Sequence, residues 1–162
     1  MGSLRTVADI MRRDTHTVLP ATPVEEVIRT IATNDIQRVV VVDPQTRFLG
    51  LISDRDLLIA FAADHPEGAW EQFKNLIPFT ERGKRHREIA DRLRSKTAAE
   101  VMKTDITTVR EETPMDEAIA LMTARGFKRL PVVDEAGIFK GMISRDSLLR
   151  TGFPRPATDP PK

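Results

Sequence analysis

Arg38-Val39-Val40-Val41-Val42-Asp43, followed by Gly50-Leu51-Ile52-Ser53, returns 91 residues later as Arg129-Leu130-Pro131-Val132-Val133-Asp134, followed by Gly141-Met142-Ile143-Ser144. Carried outward, the same offset aligns residues 7–58 with 98–149 without a gap, and about 19 of those 52 positions are identical. Met11 meets Met102, Asp14 meets Asp105, Thr17-Val18 meets Thr108-Val109, Thr22-Pro23 meets Thr113-Pro114, and Leu57-Leu58 meets Leu148-Leu149. The 162-residue chain is therefore a tandem repeat of two copies of about 55 residues each. Copies that small seldom bury enough apolar surface alone, so the two are expected to share a core.

Within each copy the hydrophobic period switches in a fixed order. Val7 to Met11 reads as a short helical turn and Thr17-Val18-Leu19 as a short strand. Thr22-Pro23 then opens a helix, with Thr at the N-cap, Pro at the first position and Glu25-Glu26 near the positive end of the dipole. Val24, Val27, Ile28 and Ile31 recur at helical spacing and mark its core face. Arg38 to Val42 is a β-branched run without alternation, as expected of a strand covered on both faces. A turn at Asp43-Pro44-Gln45-Thr46 leads to a second strand, Phe48 to Ile52, and Ser53-Asp54-Arg55-Asp56 begins another helix. Each copy thus reads β-α-β-β-α, and two copies suit an α/β assembly joined through their sheets.

Composition narrows the function. Twenty-five Lys and Arg against 24 Asp and Glu argue against an electrostatic role of the whole chain on nucleic acid or membrane. The absence of cysteine excludes disulfides, thiol catalysis and thiolate metal sites. No apolar run approaches the ~18 residues of a membrane span, and Met1-Gly2-Ser3-Leu4-Arg5 leads into a polar stretch, so the expected location is the cytoplasm. His16, His65 and His86 lack metal-ligand spacing, no Ser-His-Asp order is present, and no G-x-x-x-x-G-K phosphate loop occurs. An enzyme is not expected.

Three marks occur together in both copies: a D/E-x-M opening (Asp9-Ile10-Met11, Glu100-Val101-Met102), a valine-rich strand ending in Asp, and G-h-I-S leading into a helix. In these marks the chain resembles the CBS domain, which occurs in pairs known as Bateman modules. The resemblance implies tandem repeats at 1–60 and 98–151 packed through their sheets with pseudo-two-fold symmetry, a helical insert at 61–97 and a flexible tail at 152–162. It also implies binding rather than catalysis: AMP, ADP or ATP, or in some members NAD or S-adenosylmethionine, held between the paired copies in a regulatory, energy-sensing role. The protein is then expected to form a homodimer and to signal to an effector protein.

Carried over residue by residue, the resemblance makes two unequal clefts. The preferred one joins Ser53, Arg55 and Asp56 to Thr113, Lys128, Arg129 and Leu130, with Asp56 as ribose acceptor and three cations for phosphate. The weaker one joins Thr22, Gln37, Arg38 and Val39 to Ser144, Arg145 and Ser147. There Ser147 replaces the ribose-binding acid, and Asp146 stands where phosphate oxygens approach. The residues themselves suit such a ligand, because a Ser and free N–H groups at a helix N-terminus favour phosphate. Ser53 and Ser144 suit helix capping equally well, and Asp56 suits the first turn of a helix dipole; the sequence leaves both readings open.

Between the copies, Trp70, Phe73, Leu76, Ile77 and Phe79 form an aromatic cluster that calls for a partner surface, on a sister module or on its own. Residues 81–96 carry seven Lys and Arg with Ile89, Ala90 and Leu93 as a narrow apolar stripe, which reads as a basic amphipathic helix. Two alternatives to nucleotide sensing follow: a ligand-free interaction scaffold, or nucleic-acid binding through residues 81–96.

Overall fold

The computed structural model describes residues 5–34, 36–64 and 96–152. The aromatic cluster at 70–79, the basic segment at 81–95 and the tail from residue 153 lie outside them. The described chain is mixed α/β; the first copy runs β-α-β-β-α as its period foretold, and the second does so except for its opening strand. The first holds strand β1 (Thr17–Val18), helix α1 (Val24–Thr33), strands β2 (Arg38–Val42) and β3 (Phe48–Ser53), and helix α2 (Asp54–Asp64). The second holds helix α3 (Ala98–Val101), helix α4 (Met115–Arg125), strands β4 (Arg129–Val133) and β5 (Phe139–Ser144), and helix α5 (Arg145–Gly152). A short 3-10 turn, Val7–Asp9, stands where α3 stands in the second copy.

The sheets obey the same 91-residue offset. Val40 pairs with Leu51 and Pro131 with Met142, both antiparallel, and the register shifts at Val41/Val42 and again at Val132/Val133. β1 lies parallel to β2 through Thr17–Val40 and Val18–Val41, but its counterpart shrinks to one bridge, Val109–Val132. Proline explains the difference. The Val40 N–H donates to His16 O at 3.0 Å, whereas Pro131 at the equivalent place has no N–H to give, and the parallel ladder loses that rung.

Two compact units result, His16–Ile106 (the leading unit) and Met1–Thr15 with Thr107–Lys162 (the trailing unit). Each repeat's opening segment therefore belongs to the other repeat's core. In the leading unit, Ala98 is fully buried among Val24, Val27, Ile28, Val39, Val41, Ile52 and Leu57, with Val101 and Met102 against them. In the trailing unit, Val7 takes Ala98's place among Val109, Ala118, Met122, Leu130, Val132 and Ile143, with Met11 alongside. The acid of the D/E-x-M mark starts these segments: the Thr6 N–H donates to Asp9 at 2.9 Å and the Thr97 N–H to Glu100 at 2.7 Å, as capping boxes.

Two backbone details depart from or extend the expectation. The N-cap of α1 is Pro23 and that of α4 is Pro114, not the threonines before them. Thr22 Oγ1 instead accepts the Leu19 N–H, and Thr113 Oγ1 the Arg110 N–H, each at 3.0 Å, so these hydroxyls close the preceding turn. The Asp that ends each valine strand builds the hairpin loop: Asp43 Oδ1 accepts the Gln45 and Arg47 N–H groups, and Asp134 Oδ1 those of Ala136 and Ile138.

That loop needs a left-handed residue, supplied by Gly137 (φ 80°) in one copy and by exposed Thr46 (φ 66°) in the other. A β-branched residue is strained there. Replacing Thr46 with Gly is expected to raise stability by roughly 0.5–1 kcal/mol, the relief exceeding the added chain entropy of Gly. Urea unfolding checks it; an unchanged or lower midpoint contradicts it.

Candidate functional site

Ser53 ends β3 and Asp56 lies in the first turn of α2, and the two side chains hold one another. Asp56 Oδ2 accepts the Ser53 N–H at 2.9 Å and the Ser53 hydroxyl at 2.7 Å, while the Asp56 N–H donates back to Ser53 Oγ at 3.2 Å. This is a capping box with Asp in the place of Glu. Asp56 is 8% exposed, the one buried charged residue among those described.

Both Ser53 bonds end on Oδ2. Oδ1 has almost no exposed surface and no aligned hydrogen-bond donor, yet Lys103 Nζ stands 3.0 Å from it as an ion pair. Burial pushes the Asp56 carboxyl up, but the Ser53 hydroxyl and N–H and then the Lys103 charge outweigh it, so the group sits below the ordinary carboxylate value. Lys103 reaches this place because its backbone pairs with Leu51 through two hydrogen bonds of 2.9 and 3.0 Å.

The trailing unit repeats the frame with different chemistry. Ser147 Oγ accepts the Ser144 N–H at 2.9 Å and donates to Ser144 O at 2.8 Å, and the Ser147 N–H donates to Ser144 Oγ at 3.2 Å. Arg12, the counterpart of Lys103, pairs with Met142 through its backbone at 2.8 Å in both directions. With no carboxylate at 147, its guanidinium takes Asp14 in a two-pronged contact of 2.7 and 3.1 Å.

The remaining residues singled out in the sequence have their described neighbours within their own units. Gln37 O accepts the Asp54 N–H at 3.0 Å and Arg38 pairs in register with Ser53, so in the leading unit the strand entrance adjoins the Ser53 corner of the same copy. Lys128 O likewise accepts the Arg145 N–H at 3.1 Å, and Arg129 pairs with Ser144. Val39 and Leu130 are 0% and 1% exposed, which leaves only their backbone for any ligand. Arg55, Gln37, Lys128 and Arg145 are exposed, and Arg145 reaches Gly126 O at 3.4 Å. Ser53, Arg55 and Asp56 belong to the leading unit, whereas Thr113, Lys128, Arg129 and Leu130 belong to the trailing one. Lys103 was not among the sequence candidates; its one signal was a cation at the same repeat position as Arg12, directly after Met102 as Arg12 follows Met11.

Among the described residues no helix is long and apolar enough to cross a membrane. The sequence model of the CBS domain matches residues 7–63 and 98–152. The chain is 30% identical over 154 residues to the CBS domain-containing protein CBSX1, chloroplastic, of Arabidopsis thaliana, covering 91% of this chain and 64% of that relative. It therefore spans less than two thirds of that relative's length. Among solved structures, CBSX2 in complex with AMP superimposes with a TM-score of 0.67 at 25% identity, over 91% of this chain and 96% of the other. The cytosolic domain of the Mg2+ channel MgtE in complex with ATP gives 0.64 at 25% identity, over 92% and 49%.

Proposed function

The chain belongs to the CBS domain family as a tandem pair, and from that premise we propose that it is a non-catalytic regulatory module sensing adenosine nucleotides of the AMP, ADP or ATP class. The observation that carries this reading is the Ser53-Asp56 corner: a buried, ionised carboxylate fixed at a helix start with a cation beside it. A ribose diol supplies two hydroxyl donors for such a carboxylate, and the positive end of α2 favours the phosphate. In this reading Ser53, Arg55 and Asp56 serve the ligand together with Thr113, Lys128, Arg129 and Leu130. The set Thr22, Gln37, Arg38, Val39, Ser144, Arg145 and Ser147 forms the weaker site, since a hydroxyl at 147 lacks the charge-assisted acceptor, a deficit of order 1 kcal/mol. The complexes of CBSX2 with AMP and of the MgtE cytosolic domain with ATP support the ligand class.

A second copy of the chain and a cytoplasmic effector complete the proposal. The apolar groove of about 500 Å³ between α4 and α5, lined by Ile119, Met122, Leu148 and Leu149 among others, supports a homodimer. Occupancy signals only if the ligand prefers one arrangement of the protein over another.

Thermal unfolding with AMP, ADP, ATP, NAD and S-adenosylmethionine tests the function. At a hundredfold excess over its dissociation constant, a bound nucleotide is expected to add about 2.7 kcal/mol of stability. No shift with any of the five rejects the sensor in favour of an interaction scaffold.

A further inference from the structure

Lys103 and Arg12 occupy one repeat position, with the same backbone bridge and the same carboxylate two residues on, Asp105 or Asp14. Arg12 takes that neighbouring carboxylate. Lys103 reaches to Asp56 instead, although its side chain is 58% exposed and that of Asp56 7%. The copies differ at the corner, residue 56 against residue 147, and in the cation, Lys103 against Arg12: the copy whose corner holds a buried carboxylate carries the cation that contacts it. Lys103 also goes to a particular atom. Ser53 fills Oδ2 twice, and the ammonium sits on Oδ1, the oxygen a ligand hydroxyl needs, leaving it with almost no accessible surface.

We propose that Lys103 is an affinity-setting residue of the nucleotide site, an internal substitute for the ribose hydroxyls that a ligand must displace from Asp56 Oδ1. This rests on the sensing function proposed above and adds to it a competitor supplied by the sequence of the second copy. Oδ1 has acceptor capacity for more than one donor, but with almost no surface left accessible it offers no second approach, so a ligand diol has to displace the ammonium to reach it. Removing the ammonium leaves an acceptor that ligand hydroxyls reach without first displacing a charged partner.

Isothermal calorimetry of the full chain with AMP, adenosine and 2′,3′-dideoxy-AMP, on wild type, Lys103→Met and Asp56→Ala, tests the proposal. Lys103→Met keeps the backbone bridge to Leu51 and is expected to bind AMP and adenosine about fivefold more tightly, the order of a partly exposed ion pair, with dideoxy-AMP unchanged. Lys103→Gln is expected to fall between wild type and Lys103→Met. Unchanged or weaker AMP binding in Lys103→Met overturns the proposal, and so does an equal gain for dideoxy-AMP, which places the effect away from the diol. If Asp56→Ala abolishes AMP binding while Lys103→Met leaves it unaltered, the sensing function stands and the competitor falls. Absence of AMP and adenosine binding in every variant, wild type included, overturns the competitor, and the sensing function falls with it if ADP, ATP, NAD and S-adenosylmethionine also fail to bind the wild type.

Discussion

Gly50→Ala is expected to cost about 3 kcal/mol, although exchanging Gly for Ala in an open strand normally stabilises by several tenths. The sign is set by what a Cβ would meet. At Gly50 it would stand 2.5 Å from the Lys103 carbonyl oxygen and 3.2 Å from Met102 Sδ. The sulfur can move, but the carbonyl is held by the Leu51–Lys103 pair. Relief therefore requires breaking two backbone hydrogen bonds of about 1 kcal/mol each, on top of the strain of overpacking. Gly141 faces the Arg12 carbonyl in the same way, so Gly141→Ala is expected to behave alike in the trailing unit. Gly137→Ala is the control. Nothing lies within 4 Å of its Cβ, only a φ of +80° opposes it, and about 1 kcal/mol is expected. Urea unfolding ranks the three, and faster amide exchange at Leu51 and Lys103 in Gly50→Ala locates the damage. A Gly50 variant no worse than the Gly137 variant would mean that the Lys103 segment does not close on β3.

The glycine of G-h-I-S was thus readable in the sequence as a mark, but its reason was not, because the oxygen it makes room for lies 53 residues further along the chain. Periodicity placed the regular elements: the unbroken valine run became a strand with both faces buried, and the i, i+3, i+4 stripe of α1 became its core face. Single hydroxyls misled. Thr22 before Pro23 has the composition of an N-cap, yet a turn three residues earlier claims its oxygen, and local propensity cannot rank two acceptor roles for one atom. Ser53 and Asp56 presented the opposite problem. Capping and ligand binding were posed as rival roles, but the box leaves Oδ1 outside its bonds, so one carboxylate can serve both. The exchange of opening segments between repeats, which brings Lys103 to Asp56, is a tertiary event with no local signal beyond a repeated cation.

Asp56→Ala is expected to lower AMP affinity about a hundredfold, the value of losing a charge-assisted acceptor of about 1.5–3 kcal/mol, and to cost about 2 kcal/mol of stability through the lost cap and ion pair. The stability loss has a pH signature that separates it from a packing defect. The folded Asp56 carboxyl lies below its ordinary value of 3.8, so the folded protein holds this proton less tightly than the unfolded chain does. The stabilisation it brings is therefore complete above the unfolded value and drains away as pH falls through the lower folded one. The difference between wild type and Asp56→Asn, which keeps the shape and removes the charge, is expected to be constant from neutral pH down to about 5 and to shrink below about 4. Urea midpoints across that range measure it. A difference that stays level into strong acid would show that the charge adds nothing to stability and that Asp56 caps the helix by shape alone. Ser147, with no carboxyl to titrate, gives the trailing unit no such acid dependence; a nucleotide that bound both clefts equally at neutral pH would have to be recognised by something other than this carboxylate.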